Sequence, residues 1–358
     1  MTKLLVYGMT PNSGGIEAYI MNYYRCMNHQ EIQFDFVVDA DCAAYADEIT
    51  ALGGKITYIP SRRDGLLSHV KAMRAAAKAD KYTAIYYNIL SASAVFSLLA
   101  TWGLGIRRIV HSHNNAVGNM RTHLLLRPLL NLLTSCRLAC STQAATFMFG
   151  DRLGKRTRVI NNAIDLQKYA FDPTVRAEVQ AEFGLDGHFV VGHVGRLSPQ
   201  KNTLFLLDIF AEIYRKNTNA RLLLIGDGPD RNAVVTKITA LHLQDAVIMA
   251  GVRSDVARLF QAMDVFLLPS LFEGLPIVGV EAQAAGLRCI FSDTFSTVID
   301  MTGLVTFLPL STPVAQWADT VLACENVPRA DTAQPLRAAG FDIQTQAALV
   351  QEILSQRS

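Results

Sequence analysis

Two carboxylates, eight residues apart, flank the predicted start of a helix. Glu273 lies in the loop after the predicted strand Val265–Leu268, and Glu281 falls about a turn and a half inside the helix. Gly274 permits a close backbone approach, and Pro276 suits the first helical position, where its missing N–H costs nothing. The free N–H groups of this helix start favour a phosphate, and the carboxylates can accept hydrogen bonds from sugar hydroxyls. The alternative is an ordinary helix start with Glu281 on the solvated surface.

A second loop supplies cations. Arg196 and Lys201 belong to the segment Gly195-Arg196-Leu197-Ser198-Pro199-Gln200-Lys201-Asn202, which follows the predicted strand Phe189–His193. Two cations in one loop can face a diphosphate, the arginine as a fork and the lysine as a point charge. The alternative is a solvated basic loop.

Two weaker motifs follow neighbouring strands. Gly226 opens Gly226-Asp227-Gly228-Pro229, a predicted turn with backbone freedom. Val252 and Arg253 follow the predicted strand Val247–Met249, and Asp255 after them is best interpreted as the cap of the next helix. Each of these is compatible with plain turn or cap chemistry.

The first half of the chain offers a glycine pair and two histidines. Gly14 and Gly15 follow the first predicted strand and open a helix, but the dinucleotide glycine spacing and the P-loop lysine are missing, so a nicotinamide or ATP site is poorly supported. His111 and His113 lie at the end of the fifth predicted strand and could act as acid, base or hydrogen-bond donor. Without neighbouring cysteines or carboxylates they do not indicate a metal site.

The secondary-structure elements that must position these residues alternate between predicted strands and predicted helices. Thirteen short apolar, β-branched runs are separated by helical patterns, which is typical of parallel sheets covered on both faces. We therefore predict an α/β fold of two doubly wound, Rossmann-like domains facing across a cleft, with ligands at the carboxyl ends of the strands. The predicted domains are residues 1–170 and 186–340, with an amphipathic helix at 342–358 packing back on the first.

The uncharged stretch from Tyr82 to Ile106, followed by Arg107 and Arg108, resembles a membrane-spanning helix with a basic stop. Its polar residues interrupt the apolar run, and it divides into a strand at Ala84–Tyr87 and a helix from Ser91 to Trp102. We predict a buried strand and helix there, and no secretory signal at the N-terminus.

The amino-acid composition narrows the classes of protein to which the chain could belong. The chain has 358 residues, is 50% hydrophobic and carries a formal net charge of +2, which suits two packed domains and gives no reason to expect nucleic acid as a partner. Six scattered cysteines exclude a disulfide scaffold and fit a reducing cytosol.

Taken together, these motifs resemble the retaining family-4 glycosyltransferases of the GT-B fold, most closely the exopolysaccharide and capsule enzymes of Gram-positive bacteria. The resemblance spans nearly the whole chain, and the Glu273-x7-Glu281 element is its most specific part. The matching segments are Gly14-Gly15-Ile16-Glu17, His111-Ser112-His113-Asn114, residues 159–165, Gly195-Arg196 with Lys201, Gly226-Asp227-Gly228-Pro229 and Glu273 to Glu281.

The resemblance implies a role for each matching residue of the second half. Glu281 would bind the nucleotide ribose and Glu273 the donor-sugar hydroxyls. Arg196 and Lys201 would neutralise the diphosphate leaving group. The remaining implied donor-binding positions there are Gly226, Val252, Arg253, Gly274, Leu275, Pro276 and Ile277, with the base at Val252-Arg253.

In the first half, Gly14 and Gly15 would approach the donor, and His113 would lie by the anomeric carbon and acceptor, with His111 as the alternative for that place. The family needs no metal, so no cofactor is expected beyond the nucleotide-sugar co-substrate. The uncharged segment Tyr86-Tyr87-Asn88 departs from the family pattern, so acceptor recognition is not carried over.

The implied function is transfer of a sugar from a nucleoside diphosphate sugar, with UDP favoured by family frequency, to an acceptor hydroxyl with retention of configuration. The acceptor would be a glycan or lipid-linked saccharide in exopolysaccharide or capsule repeat-unit assembly. Glu273 acting as a covalent nucleophile is less favoured than a front-face attack assisted by the leaving phosphate. The alternatives are a nucleotide-sugar 2-epimerase and a non-catalytic sugar-nucleotide-binding subunit.

Charge is divided unevenly along the chain. Residues 62–137 carry eleven basic and two acidic side chains, whereas the part after residue 165 is acidic overall. The simple interpretation is a set of solvated helix faces. The sharper one is a cytoplasmic enzyme whose N-terminal domain docks on the anionic inner face of the cell membrane, with Leu124–Leu130 as an apolar contact.

Overall fold

The computed structural model describes residues 1–12 and 14–356. The chain forms two compact units. The N-terminal unit contains Met1–Ile164 and the described residues from Gly340 onward, and the C-terminal unit contains Asp165–Ala339. Each is a parallel sheet covered by helices, so the predicted α/β class with two Rossmann-like sheets is confirmed.

The N-terminal unit has a seven-stranded sheet in the order β3-β2-β1-β4-β5-β6-β7, and every strand pair is parallel. Its central strands are buried on both faces, because helices cover both sides and no alternating polar face is needed. The strands are β1 (Thr2–Tyr7), β2 (Ile32–Val38), β3 (Ile56–Tyr58), β4 (Ala84–Ile89), β5 (Arg107–Ser112), β6 (Cys136–Ala139) and β7 (Arg158–Val159).

Among the described residues, eight helices cover this sheet, and the last of them follows the C-terminal unit in the chain. They are α1 (Gly15–Arg25), α2 (Ala46–Ala51), α3 (Leu66–Lys78), α4 (Val95–Ala100), α5 (Met120–Leu133), α6 (Thr142–Phe149), α7 (Asp151–Gly154) and α16 (Ile343–Ser355). Ile343, Ala347 and Val350 of α16 are buried in the same core as Ile20 of α1. A backbone hydrogen bond also joins α16 to the end of the segment Met1–Ile164, since Ile343 N–H donates to Ile164 O at 3.0 Å.

The C-terminal unit has a six-stranded parallel sheet in the order β10-β9-β8-β11-β12-β13. Its strands are β8 (Phe189–Val194), β9 (Ala220–Ile225), β10 (Val247–Gly251), β11 (Val265–Leu268), β12 (Arg288–Ser292) and β13 (Val305–Leu308). Its helices are α8 (Leu166–Tyr169), α9 (Pro173–Phe183), α10 (Thr203–Lys216), α11 (Arg231–Ala240), α12 (Val256–Ala262), α13 (Ile277–Ala284), α14 (Val314–Leu322) and α15 (Ala333–Ala338).

The units divide at Ile164 rather than within the predicted interval of 170–186. Helices α8 and α9 belong to the C-terminal unit because their polar groups bond to it. Tyr169 O accepts from Gln261 Nε2 at 3.1 Å, and Arg176 pairs with Asp264 at 2.7 Å.

The uncharged stretch of residues 82–106 is divided between the buried strand β4, a short 3₁₀ turn at Ala92–Ala94 and α4. The helix is thus shorter than the predicted Ser91-to-Trp102 segment. Among the described residues, no helix is both long and apolar enough to cross a membrane.

Both sheets change direction between two of their central strands. The chain moves outward from β1 to β2 and β3, then returns past β1 to β4; β8, β9, β10 and β11 repeat this order. In open parallel sheets the crevice at this switch point, beyond the carboxyl ends of the strands, is where ligands bind. The loops after β1 and β4, and those after β8 and β11, are therefore the first places to look for a site.

Candidate functional site

The loops after β8 and β9 fit together only because both are glycine-rich. Gly226 has a φ of 128°, and a Cβ there would lie 2.0 Å from Gly195 O. A Cβ on Gly228 would lie 2.3 Å from Leu197 O. Leu197 N–H donates to Asp227 O at 3.1 Å, which locks the two loops together. Gly226 therefore supports the shape of the Arg196–Lys201 loop.

Lys201 and Glu273 meet at the switch point of the C-terminal sheet. Lys201 Nζ lies 2.5 Å from Glu273 Oε1, and the two side chains are only 14% and 9% exposed. The loops carrying them are also tied together, since Leu271 N–H donates to Gln200 O at 2.8 Å. Two residues that sequence reasoning placed in separate loops are thus one ion pair, with the cation held at a fixed position.

Arg196 lies in the same loop but is exposed, and its guanidinium has no hydrogen-bond or ion-pair partner among the described residues. Behind the loop, His193 is fully buried and its Nδ1 lies 2.9 Å from Leu267 O. Burial lowers the pKa of His193 to about 4, with a smaller contribution from the charge of Lys201. Two cationic side chains thus lie in one loop beside a neutral imidazole.

Helix α13 begins one residue later than predicted. Pro276 is the N-cap with an extended ψ of 115°, and Ile277 is the first helical residue, so the predicted first helical position for Pro276 is wrong. Gly274 and Leu275 form the approach to this start. Gly279 N–H donates to Pro276 O at 2.9 Å, whereas the N–H groups of Ile277 and Val278 precede the first helical hydrogen bond, so the start retains its anion-binding character.

Glu281 is not on a solvated surface. It is partly buried in α13, and Tyr169 Oη donates to its Oε1 at 2.7 Å. Burial raises the pKa of Glu281, and the hydrogen bond from Tyr169 opposes that rise. Sequence reasoning missed Tyr169, because 112 residues separate the partners and no local pattern joins them.

Val252 and Arg253 follow β10, where Val252 is 79% exposed. Arg253 is held by Asp255 through two bonds, Nε to Oδ1 at 2.8 Å and Nη2 to Oδ2 at 2.7 Å. Asp255 occupies the N-cap position of α12 but makes no side-chain cap bond, so the predicted capping role is wrong. Its carboxylate binds Arg253 instead, which fixes the loop beside an exposed apolar side chain.

The switch point of the N-terminal sheet opens into a cavity of about 610 Å³. Gly14 and Gly15 line it from the start of α1, and His113 lines it from the end of β5. A Cβ on Gly15 would meet open space, whereas Gly14 lies against Glu17, whose Oε2 accepts from Gly14 N–H at 3.1 Å. The glycine loop therefore presents backbone, not side chain, to this cavity.

The structure distinguishes the two histidines. His111 is fully buried, and its Nδ1 lies 2.6 Å from Tyr86 Oη. His113 lines the cavity, and its Nε2 lies 2.9 Å from Asn88 Oδ1, which indicates that Nε2 carries the proton. Burial lowers the pKa of His113 to about 3. The imidazole of His113 is therefore neutral near pH 7.

Sequence reasoning did not single out Asp39 and Arg62, two charged side chains that also line this cavity. Tyr7 Oη donates to Asp39 Oδ2 at 2.8 Å, and Arg62 Nη1 donates to Ser93 O at 2.5 Å. Asp39 directly follows β2, and Arg62 lies a few residues after β3. Both residues follow the carboxyl end of a strand, so a search of every such position in the sequence could have found them.

The predicted residues thus form two groups. Within the C-terminal unit, Arg196, Lys201, Gly226 and Glu273 share one loop cluster, and Glu281 lies on the adjoining helix; within the N-terminal unit, Gly14, Gly15 and His113 share one cavity. Among residues 1–12 and 14–356, no three His, Cys, Asp or Glu side chains come together as metal ligands.

Two family models match the chain. Residues 13–168 match the family described as "Glycosyltransferase Family 4", and residues 188–325 match "Glycosyl transferases group 1". The first covers the glycine pair and both histidines, and the second covers the cationic loop and both carboxylates.

Two curated relatives are also glycosyltransferases by name. The chain is 35% identical over 326 residues to "Putative glycosyltransferase EpsF" of Bacillus subtilis (strain 168), which covers 87% of this chain and 84% of that protein. It is 37% identical over 141 residues to "UDP-Gal:alpha-D-GlcNAc-diphosphoundecaprenol alpha-1,3-galactosyltransferase" of Escherichia coli, covering 38% of this chain and 36% of that one.

Solved structures show the same fold. HepE of Anabaena in complex with UDP matches with a TM-score of 0.82 at 22% identity, covering 99% of this chain and 100% of that one. Its complex with UDP-glucose matches with a TM-score of 0.81. The predicted GT-B fold is therefore confirmed.

Proposed function

Because the chain belongs to glycosyltransferase family 4, we propose that it transfers a sugar from a UDP-sugar to an acceptor hydroxyl with retention of anomeric configuration. The Lys201–Glu273 ion pair carries this proposal. It fixes a cation at the switch point of the C-terminal sheet, beside the start of α13 and in the same loop as the exposed guanidinium of Arg196. Cation, guanidinium and helix start suit a diphosphate.

The proposed chemistry is stabilisation of a leaving diphosphate. As the bond to the sugar breaks, negative charge grows on the phosphate oxygens, and groups already aimed there lower the barrier without reorganising. Lys201 and Arg196 would neutralise that charge, and Glu273 would orient both Lys201 and a donor-sugar hydroxyl. Glu281, held by Tyr169, would accept from the ribose, with Val252 and Arg253 beside the base.

The acceptor would occupy the cavity of the N-terminal unit. Its lining offers neutral partners for hydroxyls in His113 and Asn88, and backbone in Gly14 and Gly15. The name of the E. coli relative includes a sugar linked to diphosphoundecaprenol, and that of the B. subtilis relative describes a glycosyltransferase. The E. coli name supports a lipid-linked saccharide as acceptor. We place the reaction within exopolysaccharide or capsule assembly as part of the same proposal.

The decisive experiment incubates purified protein with a panel of nucleotide sugars and membrane-extracted lipid acceptor. We expect transferred sugar with unchanged anomeric configuration, UDP as product, and activity that survives EDTA. Donor converted to its epimer would identify an epimerase, and binding without turnover would identify a non-catalytic subunit. The Arg196→Ala variant should lose about 10²-fold in kcat, the scale for one transition-state stabiliser. Arg231→Ala, at an exposed site, is the matched control.

We also propose peripheral attachment to the inner face of the cell membrane through α5. Leu125 and Leu132 of that helix are 79% and 80% exposed, and Leu124 and Leu129 are exposed beside them. Leu130, part of the predicted apolar contact, is instead buried in the core, because it lies on the opposite side of the helix. An exposed apolar stripe on a unit rich in arginine suits an anionic bilayer surface.

Cosedimentation with vesicles of phosphatidylcholine containing phosphatidylglycerol tests this attachment. Leu125→Ser with Leu132→Ser should weaken binding at least about tenfold, because two apolar side chains no longer enter the bilayer. Leu67→Ser, at a position 86% exposed on α3, is the control. Binding that ignores both anionic lipid and the α5 substitutions would contradict the proposal.

A further inference from the structure

A second pocket of the N-terminal unit lies at the opposite edge of its sheet, where strands begin. It has a volume of about 400 Å³, and the described residues that line it include four arginines and no carboxylate. Arg107 is the first residue of β5, Arg137 lies in β6, and Arg158 is the first residue of β7. The cavity with His113 lies beyond the carboxyl ends of the same strands, so this pocket is separate from the proposed active site.

Two of these arginines are partly engaged by helix carboxyl ends. Arg107 donates to Gln356 O and, through Nη2, to Ile353 O at 3.0 Å, while Arg137 Nη2 donates to Asn131 O at 2.7 Å. These bonds account for the positions of Arg107 and Arg137 as caps of α16 and α5. They leave further donors unused, and Arg137 Nε is buried without a hydrogen-bond partner among the described residues.

The other two arginines have no partner of their own. Arg156 and Arg158 are exposed, and neither guanidinium has a hydrogen bond or an ion pair within the part of the chain that the structure describes. Arg137 and Arg107 also lack a carboxylate within ion-pair distance there. Among the described residues, four positive charges therefore share one pocket with no acid within ion-pair distance, and their unused N–H groups are available to an anion.

We propose that this pocket binds a phosphate-bearing anion. Guanidinium groups form bidentate, charge-assisted bonds to phosphate, and three or four of them around one pocket suit a multiply charged group such as a diphosphate. The volume is enough for such a group. Two sources share this chemistry: a free diphosphate in solution and the headgroup of an anionic lipid. The transfer reaction proposed above does not require this site.

The test compares Arg156→Gln/Arg158→Gln with Arg152→Gln/Lys155→Gln. Both double variants remove two positive charges from exposed positions of one short segment, but only the first pair lines the pocket. Inorganic pyrophosphate is titrated calorimetrically into the full-length wild type and both variants. Lys201 and Arg196 remain in all three proteins, so any pyrophosphate bound by the donor loops contributes equally to each titration.

We expect pyrophosphate to bind the wild type and the control alike and the pocket variant at least about tenfold more weakly. A parallel arm uses phosphatidylcholine vesicles with and without phosphatidylglycerol. Loss confined to the vesicle arm of the pocket variant supports the site with a lipid headgroup as ligand. Equal behaviour of the two double variants in both arms, or no binding by the wild type in either, overturns the proposal, and circular dichroism confirms that each variant is folded.

Discussion

The two sheets share one strand order but carry opposite kinds of polarity at their switch points. In the C-terminal unit the position is occupied by full charges, Lys201 and Glu273, 2.5 Å apart and largely shielded from water. In the N-terminal unit the hydrogen-bonded pair at this position is neutral, His113 and Asn88, joined at 2.9 Å, although the charged side chains of Asp39 and Arg62 line the same cavity. The same topology therefore places a buried ion pair at one switch point and a neutral hydrogen-bonded pair at the other.

The two switch points differ because different residues follow the strands, and not because the strands themselves are arranged differently. A fixed cation stabilises a phosphate most when it is kept partly out of water, whereas an imidazole in similar surroundings loses its proton instead. Lys201 is paired with the carboxylate of Glu273 at 2.5 Å. His113 has no carboxylate partner among the described residues, and burial lowers its pKa to about 3.

The largest expected effect is on the charged side. Lys201→Ala should reduce kcat by about 10² to 10³-fold, because it removes a preorganised stabiliser and leaves Glu273 as an uncompensated carboxylate. Steady-state rates with the best donor of the panel measure it. Lys237→Ala, which breaks a more exposed pair with Asp208, is the control and should be close to wild type. Near-normal activity of Lys201→Ala would remove the basis of the donor-site assignment.

On the neutral side, we compare His113→Asn with His111→Asn. His113→Asn should lower kcat about 10²-fold with little loss of stability, because the side chain lines the cavity. His111→Asn should mainly lower the free energy of unfolding, because it removes a fully buried ring that bonds Tyr86. Rates and urea unfolding separate the two. An active His113→Asn enzyme would mean that the neutral edge only shapes the cavity.

A smaller effect is expected at Tyr169. Tyr169→Phe should raise KM for the donor about tenfold with little change in kcat, because Glu281 loses the bond that orients it, and bonds to charged groups have about that effect. Tyr214→Phe, whose ring stacks on Phe210 at the same unit's surface, is the control. A fall in kcat alone would place Glu281 in the chemical step instead of ribose binding.

The last effect concerns the dependence of stability on pH rather than a rate. The folded-state pKa of His113 lies near 3, below its ordinary value of 6.5. The unfolded chain therefore binds a proton that the folded chain refuses, so the contribution to stability is complete above about pH 6.5 and decreases as the pH falls toward 3. Urea midpoints from pH 7 to pH 4.5 should decline less for His113→Asn than for wild type. Parallel declines would show that the folded imidazole accepts a proton normally.

Much of this arrangement was predictable from sequence. Apolar, β-branched runs indicated the thirteen strands that the described residues form. The central strands are apolar because helices cover both of their faces, whereas the edge strands β3 and β7 are largely exposed. Searching the loops after those strands found Lys201, Glu273 and His113, because parallel strands bring their carboxyl ends to one edge. The family resemblance inferred from those loops is confirmed by the relatives.

Other parts depend on pairings that no local pattern specifies. Tyr169 meets Glu281 only after α8 packs beside α13, and Asp39 enters the cavity only because β2 lies next to β1. The arginine pocket likewise depends on strands that are distant in sequence and become neighbours only in the fold. Its residues stand at strand starts, and a search limited to strand ends could not find them.

The placement of α16 has a consequence for how the protein is made. The core of the N-terminal unit includes Ile343, Ala347 and Val350, which emerge from the ribosome after every residue of the C-terminal unit. During synthesis, Asp165–Ala339 can thus complete its own continuous core before α16, the last helix of the N-terminal unit, has been made. The part translated first is the part completed last, so nascent chains stalled before residue 343 should expose the apolar side of α1 to chaperones.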